Sequence, residues 1–131
     1  MNVLIIEDEE PTARRLAKML SETDPSVCIM ACTDSIESTA AWLSRNMAPD
    51  LIFMDIQLSD GLCFEIFELA DITCPVIFTT AFDEYAIQAF KVNSIDYLLK
   101  PVKKEDLTRS LEKLRNIKNH FSADSRNIPL N

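Results

Sequence analysis

Five short apolar runs, each separated from the next by a stretch of helical periodicity, constrain this chain more than any other feature. The runs are Val3-Leu4-Ile5-Ile6, Val27-Cys28-Ile29-Met30, Leu51-Ile52-Phe53-Met54, Val76-Ile77-Phe78 and Tyr97-Leu98-Leu99. Continuous apolar runs suit strands covered on both faces. Their alternation with amphipathic stretches is the pattern of an α/β fold on a parallel sheet. The second and fifth runs have the more mixed surroundings expected of edge strands. Between the runs, Ala13, Leu16, Ala17 and Leu20 recur at i, i+3, i+4 and i+7 behind Pro11, which suits a first helical turn. Ile36, Ala40, Leu43 and Met47 predict a second helix ending near Pro49. Cys63, Ile66, Phe67 and Ala70 predict a third. Ala86, Ala89 and Phe90 predict a short fourth with Asp83 as its N-cap, and Leu107, Leu111, Leu114 and Ile117 the last. Right-handed crossovers restrict such a repeat mainly to a flavodoxin-like (βα)5 topology, a five-stranded parallel sheet in order 2-1-3-4-5 with helices on both faces. In such sheets the functional crevice lies outside the carboxyl ends of the strands.

Composition removes several function classes. At 131 residues the chain fits one domain, read here as residues 1–120. Beyond about Phe121 the pattern dissolves into a polar, period-free stretch, so residues 121–131 read as a linker or frayed end. A formal charge of −8 argues against this segment gripping nucleic acid by itself, because backbone phosphates need a basic face. The acidity reads as a solvated surface. No apolar stretch approaches the roughly 20 residues of a membrane span. The start lacks a basic n-region, which gives a cytoplasmic address as the expectation. The four cysteines, Cys28, Cys32, Cys63 and Cys74, form no C-x-x-C, and the one histidine, His120, lies near the far end. Buried, reduced thiols acting as small apolar residues are expected. Gly61 is the sole glycine, which excludes both G-x-G-x-x-G and the P-loop.

The predicted strand ends carry the chemistry. The first ends in Glu7-Asp8, followed by Glu9-Glu10, and the third ends in Asp55. In order 2-1-3-4-5 these strands are neighbours, so Glu7, Asp8 and Asp55 converge, with the trio expected on the buried side. Clustered carboxylates repel one another unless a proton or cation intervenes. Hard oxygen ligands on an open site suit Mg2+, which accepts one or two carboxylates plus a substrate phosphate. Glu9 and Glu10 need no such explanation, since acidic residues are favoured near a helix N-terminus. The fourth strand ends in Thr79-Thr80-Ala81 and the fifth runs into Lys100-Pro101, bringing a hydroxyl and an ammonium to the same edge. These are the donors that the oxygens of a bound phosphoryl group require.

With these pieces the sequence resembles the response-regulator receiver domains of two-component signalling. The matching segments are Val3 to Asp8, Leu51 to Asp55, Thr79-Thr80-Ala81 and Asp96-Tyr97-Leu98-Leu99-Lys100-Pro101, in the family's order and spacing over nearly the whole chain. The stretches Ala81 to Ala86, Ala89-Phe90 and Asn93 to Pro101 are similar to receivers of the LytTR (LytR/AlgR) subgroup, whose output is a C-terminal DNA-binding domain. The resemblance implies that Asp55 is the phosphoacceptor and Asp8 the direct ligand of Mg2+ (or Mn2+). It gives Glu7 an assisting role through water and Gln57 a backbone carbonyl on the metal. Thr80, Lys100 and the Ala81 backbone would bind phosphoryl oxygens. Thr80 and Tyr97 would form the switch, and the Lys100–Pro101 bond would be cis. Two departures stand out. Glu7 occupies a position where many receivers have aspartate, and Ile56-Gln-Leu-Ser-Asp-Gly61 is a short loop without proline.

The implied reaction is attack by Asp55 on a phosphoryl group from a sensor histidine kinase or a small acyl phosphate. Water would later cleave the aspartyl phosphate, with Phe82 and the Gln57 side chain setting its access. Thr80 drawn toward phosphate would vacate space for Tyr97, coupling the site to the face of the fourth helix, fifth strand and fifth helix. That face carries Glu84, Lys91, Asp96, Lys103, Lys104, Glu105 and Arg109, mixed charges suited to a homodimer formed on phosphorylation. DNA would be reached only through a C-terminal domain outside this chain, and no membrane is involved. Two other readings fare worse. A phosphatase of the haloacid-dehalogenase type wants D-x-D, and Asp55 is followed by Ile56 and Gln57. A degenerate receiver, acting as a phosphorylation-independent interaction module, would not need Asp8, Asp55, Thr80 and Lys100 together, and a flavin-binding relative would want a Gly/Ser/Thr-rich phosphate loop that the chain lacks.

Overall fold

All five sheet strands run parallel, so their carboxyl ends gather along one edge. The strands are β1 (Asn2–Ile6), β2 (Cys28–Thr33), β3 (Leu51–Asp55), β4 (Val76–Thr80) and β5 (Ser94–Leu99). They lie in the order β2-β1-β3-β4-β5, as the crossover rule predicts. The computed structural model describes residues 1–82 and 94–127, with side chains as far as residue 117. Within it, α1 (Glu10–Thr23), α2 (Ile36–Arg45), a short α3 (Ile66–Leu69) entered through a 3-10 turn at Cys63–Glu65, and α4 (Lys104–Asn127) cover the sheet. A small antiparallel hairpin pairs Gln57–Leu58 with Gly61–Leu62 directly after β3. The predicted fourth helix, with Asp83, Ala86, Ala89 and Phe90, lies outside the described residues.

Strand periodicity divides the core into two layers. Val3, Ile5, Leu51, Phe53, Ile77 and Leu98 face α1 and α4, meeting Leu16, Leu20, Leu107, Leu111 and Leu114. Leu4, Ile6, Ile52, Met54 and Phe78 face the other way, onto Ile36, Cys63 and Ile66. Every residue of β3 and β4 is buried, whereas β2 and β5 are mixed, as edge strands should be. Each large aliphatic side chain so placed contributes about 1.5–3 kcal/mol by leaving water. This double cover fixes the strand ends as a rigid platform.

Local chemistry moves several boundaries. The second helix stops at Arg45 because Asn46 turns extended and its side-chain amide donates to the Trp42 carbonyl (2.8 Å). Met47, predicted to face inward, is consequently 85% exposed. At the start of that helix Ser35 and Ser38 form a reciprocal capping box. Only part of the cysteine expectation holds. Cys63 is buried and burial pushes its thiol pKa up; Cys74 is half-buried and pushed up to about 11, again by burial. Cys28 and Cys32, however, are exposed, because they sit on an edge strand with a neighbour on one side only. The stretch expected to be a linker after Phe121 continues α4 as far as Asn127.

Candidate functional site

The parallel sheet delivers Glu7 just beyond β1, Asp55 as the last residue of β3, Thr79 and Thr80 as the last of β4, and Lys100 just beyond β5. Backbone hydrogen bonds lock these ends together. Glu7 N–H donates to the Thr33 carbonyl (2.9 Å), Ile56 N–H to Thr79 (3.0 Å) and Lys100 N–H to Thr80 (2.7 Å). Asp55 pairs in register with Thr79.

At the centre, the Lys100 ammonium bridges two buried carboxylates, Glu7 Oε1 at 2.5 Å and Asp55 Oδ2 at 3.1 Å. Buried ions persist only when paired and hydrogen-bonded. Burial raises the Glu7 pKa; Lys100 opposes the rise, and the neighbouring Asp55 carboxylate adds to it. Burial alone would pull Lys100 down, but hydrogen bonds and charge from Glu7 and Asp55 outweigh it and raise its pKa. Asp8 is also raised, by burial and then by Glu7. Its side chain nevertheless stands at the surface, unlike the buried-side position expected, because the chain turns outward between β1 and α1. Carboxylate oxygens of Glu7, Asp8 and Asp55 all lie within 4.8 Å of one another. Three carboxylates against one ammonium leave the cluster short of positive charge, and its all-oxygen donor set with one member open to solvent fits a small hard divalent cation.

The remaining predicted residues surround this centre at different distances. Gln57, exposed on the hairpin, donates its N–H to Asp55 Oδ1 at 3.4 Å, a long contact. Thr80 is 1% exposed, and its hydroxyl accepts from the Phe82 N–H (3.1 Å), its own loop. The Tyr97 hydroxyl donates to the carbonyl of the same Phe82. Ala81 lies exposed between them, and the Lys100–Pro101 bond is cis. Asp96, read from sequence as one of the mixed surface charges, is half-buried and tied down: Oδ1 accepts from Tyr97 N–H (2.8 Å) and Oδ2 from buried Ser110 Oγ (2.5 Å).

Two participants escaped the sequence reading. Asp60 caps α2 from the hairpin, accepting from Ile36 N–H (2.9 Å) and Glu37 N–H (3.2 Å), and so ties the loop after Asp55 to that helix. The Ile36 N–H does most to hold its pKa down; burial opposes this, and the Glu37 N–H adds to the lowering. The Asp60-Gly61 dipeptide was the available signal, since Gly61 adopts φ +144. Thr79, 3% exposed and opposite Asp55, is the other. Among the described residues no helix is long and apolar enough to cross a membrane.

Comparison with known proteins agrees with this geometry. Residues 3–112 match the response regulator receiver domain family. The chain is 40% identical over 118 residues to the sensory transduction protein LytT of Bacillus anthracis, covering 88% of this chain and 47% of that protein. It is 38% identical over 117 residues to the positive alginate biosynthesis regulatory protein of Pseudomonas aeruginosa, covering 86% and 46%. The chain thus spans about half the length of the curated relatives it matches. Among solved structures, the response regulatory domain of mrkE from Klebsiella pneumoniae superposes with a TM-score of 0.78 at 28% identity, covering 92% of this chain and 99% of that one. By sequence, by sheet order and by the residues gathered at its strand ends, the chain belongs to the response regulator receiver domains, among relatives of the LytT kind.

Proposed function

We propose that Asp55 accepts a phosphoryl group in a divalent-metal-dependent transfer and that the change is relayed through Thr80 and Tyr97 to the β5 side of the domain. The observation that carries this reading is the Lys100 ammonium held between the buried carboxylates of Asp55 and Glu7, with Asp8 at the mouth. Such a cluster binds charge and positions it, which is most of what phosphoryl transfer asks of a protein. An Asp55 oxygen attacks phosphorus in line, and the bond to the donor's leaving group breaks with its electron pair. Lys100 swings from Glu7 toward a phosphoryl oxygen. Thr80 exchanges its bond with Phe82 for a second phosphoryl oxygen, and the Ala81 backbone supports a third. Asp8 and Asp55, assisted by Glu7 and the Gln57 carbonyl, would hold the cation. A bound Mg2+ or Mn2+ supplies charge neutralisation at the phosphoryl oxygens.

The relay rests on Phe82, whose N–H is held by Thr80 and whose carbonyl is held by Tyr97. Once Thr80 turns to phosphate, that residue loses one of its two anchors and the Tyr97 ring is free to take another position. Phe82 and the Gln57 side chain govern the water that later hydrolyses the aspartyl phosphate. In this reading the donor is a sensor histidine kinase in the cytoplasm, the phosphorylated domain pairs with a second copy through the β5–α4 side, and DNA contact belongs to a LytTR-type domain outside residues 1–131. The test is phosphorylation by acetyl phosphate with Mg2+, read by intact mass on wild type and Asp55→Ala. A labile gain of one phosphoryl group, absent without metal and absent in the variant, is the expected result. No gain on wild type, together with no binding of beryllofluoride, would instead mark a phosphorylation-independent interaction module.

A further inference from the structure

A cavity of about 450 Å3 opens beside the carboxylate cluster, between α1 and the loop that follows β5. Its two ends differ in chemistry. Glu7, Lys100 and Thr79 form the end next to Asp55, while Leu16, Met19 and Val102 form the far end. Thr79, 3% exposed as a residue, lines this space and brings a hydroxyl to the end beside Asp55. Arg15 stands at the rim, anchored by donation from Nη2 to the Val102 carbonyl (2.9 Å), which leaves further guanidinium N–H groups for an anion. Binding sites of this size typically combine apolar walls with a few convergent polar groups.

We infer that this cavity receives the acyl part of an acyl phosphate donor and that the domain prefers donors whose acyl group is apolar and larger than acetyl. The inference rests on the phosphoacceptor reading of Asp55. Lys100 and Glu7 belong at once to the Asp55 cluster and to the cavity wall. A phosphoryl group held at Lys100 therefore borders both Asp55 and the cavity, and in the inferred geometry in-line displacement sends the leaving oxygen, which departs away from the nucleophile, toward the cavity. The bond formed joins phosphorus to an Asp55 oxygen. The bond broken joins phosphorus to the acyl oxygen, which keeps the electron pair and departs as a carboxylate past Thr79 and Arg15. No proton or further reactant is needed. Apolar atoms of the acyl group leave water against Leu16, Met19 and Val102, a burial that favours transfer when the donor is poised to react.

The test measures phosphorylation rates with Mg2+ from phosphoramidate, acetyl phosphate and benzoyl phosphate on wild type and on Met19→Trp, which fills the far end. Filling is expected to lower the benzoyl-to-acetyl rate ratio about tenfold, the loss corresponding to exclusion of one buried aromatic group. A ratio within about twofold of wild type overturns the cavity assignment. Phosphoramidate has no acyl group and separates the two failures: no Asp55-dependent transfer from it on wild type sinks the phosphoacceptor reading itself. Should Met19→Trp fail to fold, the wild type still decides the matter. Benzoate, the product, is expected to shift the methyl resonance of Met19 saturably and leave that of Met47, which is 85% exposed, in place. No shift at Met19 counts against the cavity as firmly as an unchanged ratio.

Discussion

Thr80 and Tyr97 grip opposite ends of one residue: the Thr80 hydroxyl accepts from the Phe82 N–H, and the Tyr97 hydroxyl donates to the Phe82 carbonyl. Backbone pairing already joins β4 to β5, and the two bonds in series add a side-chain link between them through a single residue. Removing one partner should therefore be felt at the other. Thr80→Val keeps the shape and deletes the acceptor, so the Phe82 amide is expected to exchange with solvent about 5–10-fold faster, in line with a hydrogen bond worth about 1 kcal/mol. The Tyr97 ring resonances should shift in the same variant. An unchanged Tyr97 spectrum would mean that the two bonds are independent.

The Lys100 bridge predicts an asymmetry between its partners. Lys100→Met leaves Glu7 and Asp55 buried together without a cation, and breaking a buried pair from one side costs about 3–5 kcal/mol. Glu7→Gln leaves Lys100 its second partner, Asp55, and removes a carboxylate whose pKa burial already raises. Its effect should stay below about 1 kcal/mol. Urea unfolding in a chelator gives the comparison directly. Adding Mg2+ should restore part of the Lys100→Met loss, because a ligand that binds only the folded state stabilises it.

How far the sequence could be read follows from what each residue's environment depends on. The strand ends were legible because a parallel sheet must align them, so Glu7, Asp55, Thr80 and Lys100 could be brought together from run order alone. Met47 was misplaced because apolar periodicity shows which face a helix buries but not where a side chain ends it, and here Asn46 does. The exposure of Cys28 and Cys32 depends on what covers an edge strand, which no local pattern encodes. Asp96 looked like a surface charge because its partner, Ser110, is 14 residues away on another element. Thr79 drew no separate role because two successive threonines do not show which of them lines a cavity, whereas its register opposite Asp55 does.

A separate ion pair, far from the cluster, contributes to stability in acid. Asp24 is held down to about 2 by the Ser26 hydroxyl, the Arg115 guanidinium and the Ser26 N–H. A carboxylate whose folded pKa lies below its unfolded value of 3.8 stabilises the fold above that value and loses the contribution as pH falls toward 2. Asp24→Asn should remove this dependence. Its unfolding midpoint is expected to run parallel to wild type above pH 4 and to converge with it between about 3.8 and 2. Raising the salt concentration should narrow the difference at neutral pH, since Arg115 is largely exposed.

The hairpin after β3 predicts a link between α2 and the loop that carries Gln57. Asp60 accepts from the Ile36 and Glu37 N–H groups, and Gly61 beside it adopts φ +144 with Ile36 Cδ1 and Glu65 Oε2 at 3.1 and 3.2 Å from where a Cβ would stand. Asp60→Ala removes a helix cap and should cost about 1 kcal/mol in urea unfolding. Gly61→Ala should cost more, because it adds backbone strain to a tight contact at the same place. Both changes leave every group of the Lys100 cluster in the chain. If the hairpin only stabilised α2, phosphorylation of Asp55 would proceed at the wild-type rate in the folded fraction. Because the Gln57 N–H already reaches Asp55 Oδ1 from this hairpin, at 3.4 Å, the expected result is weaker Mg2+ binding in Asp60→Ala, measured by calorimetry at a temperature where both proteins are folded.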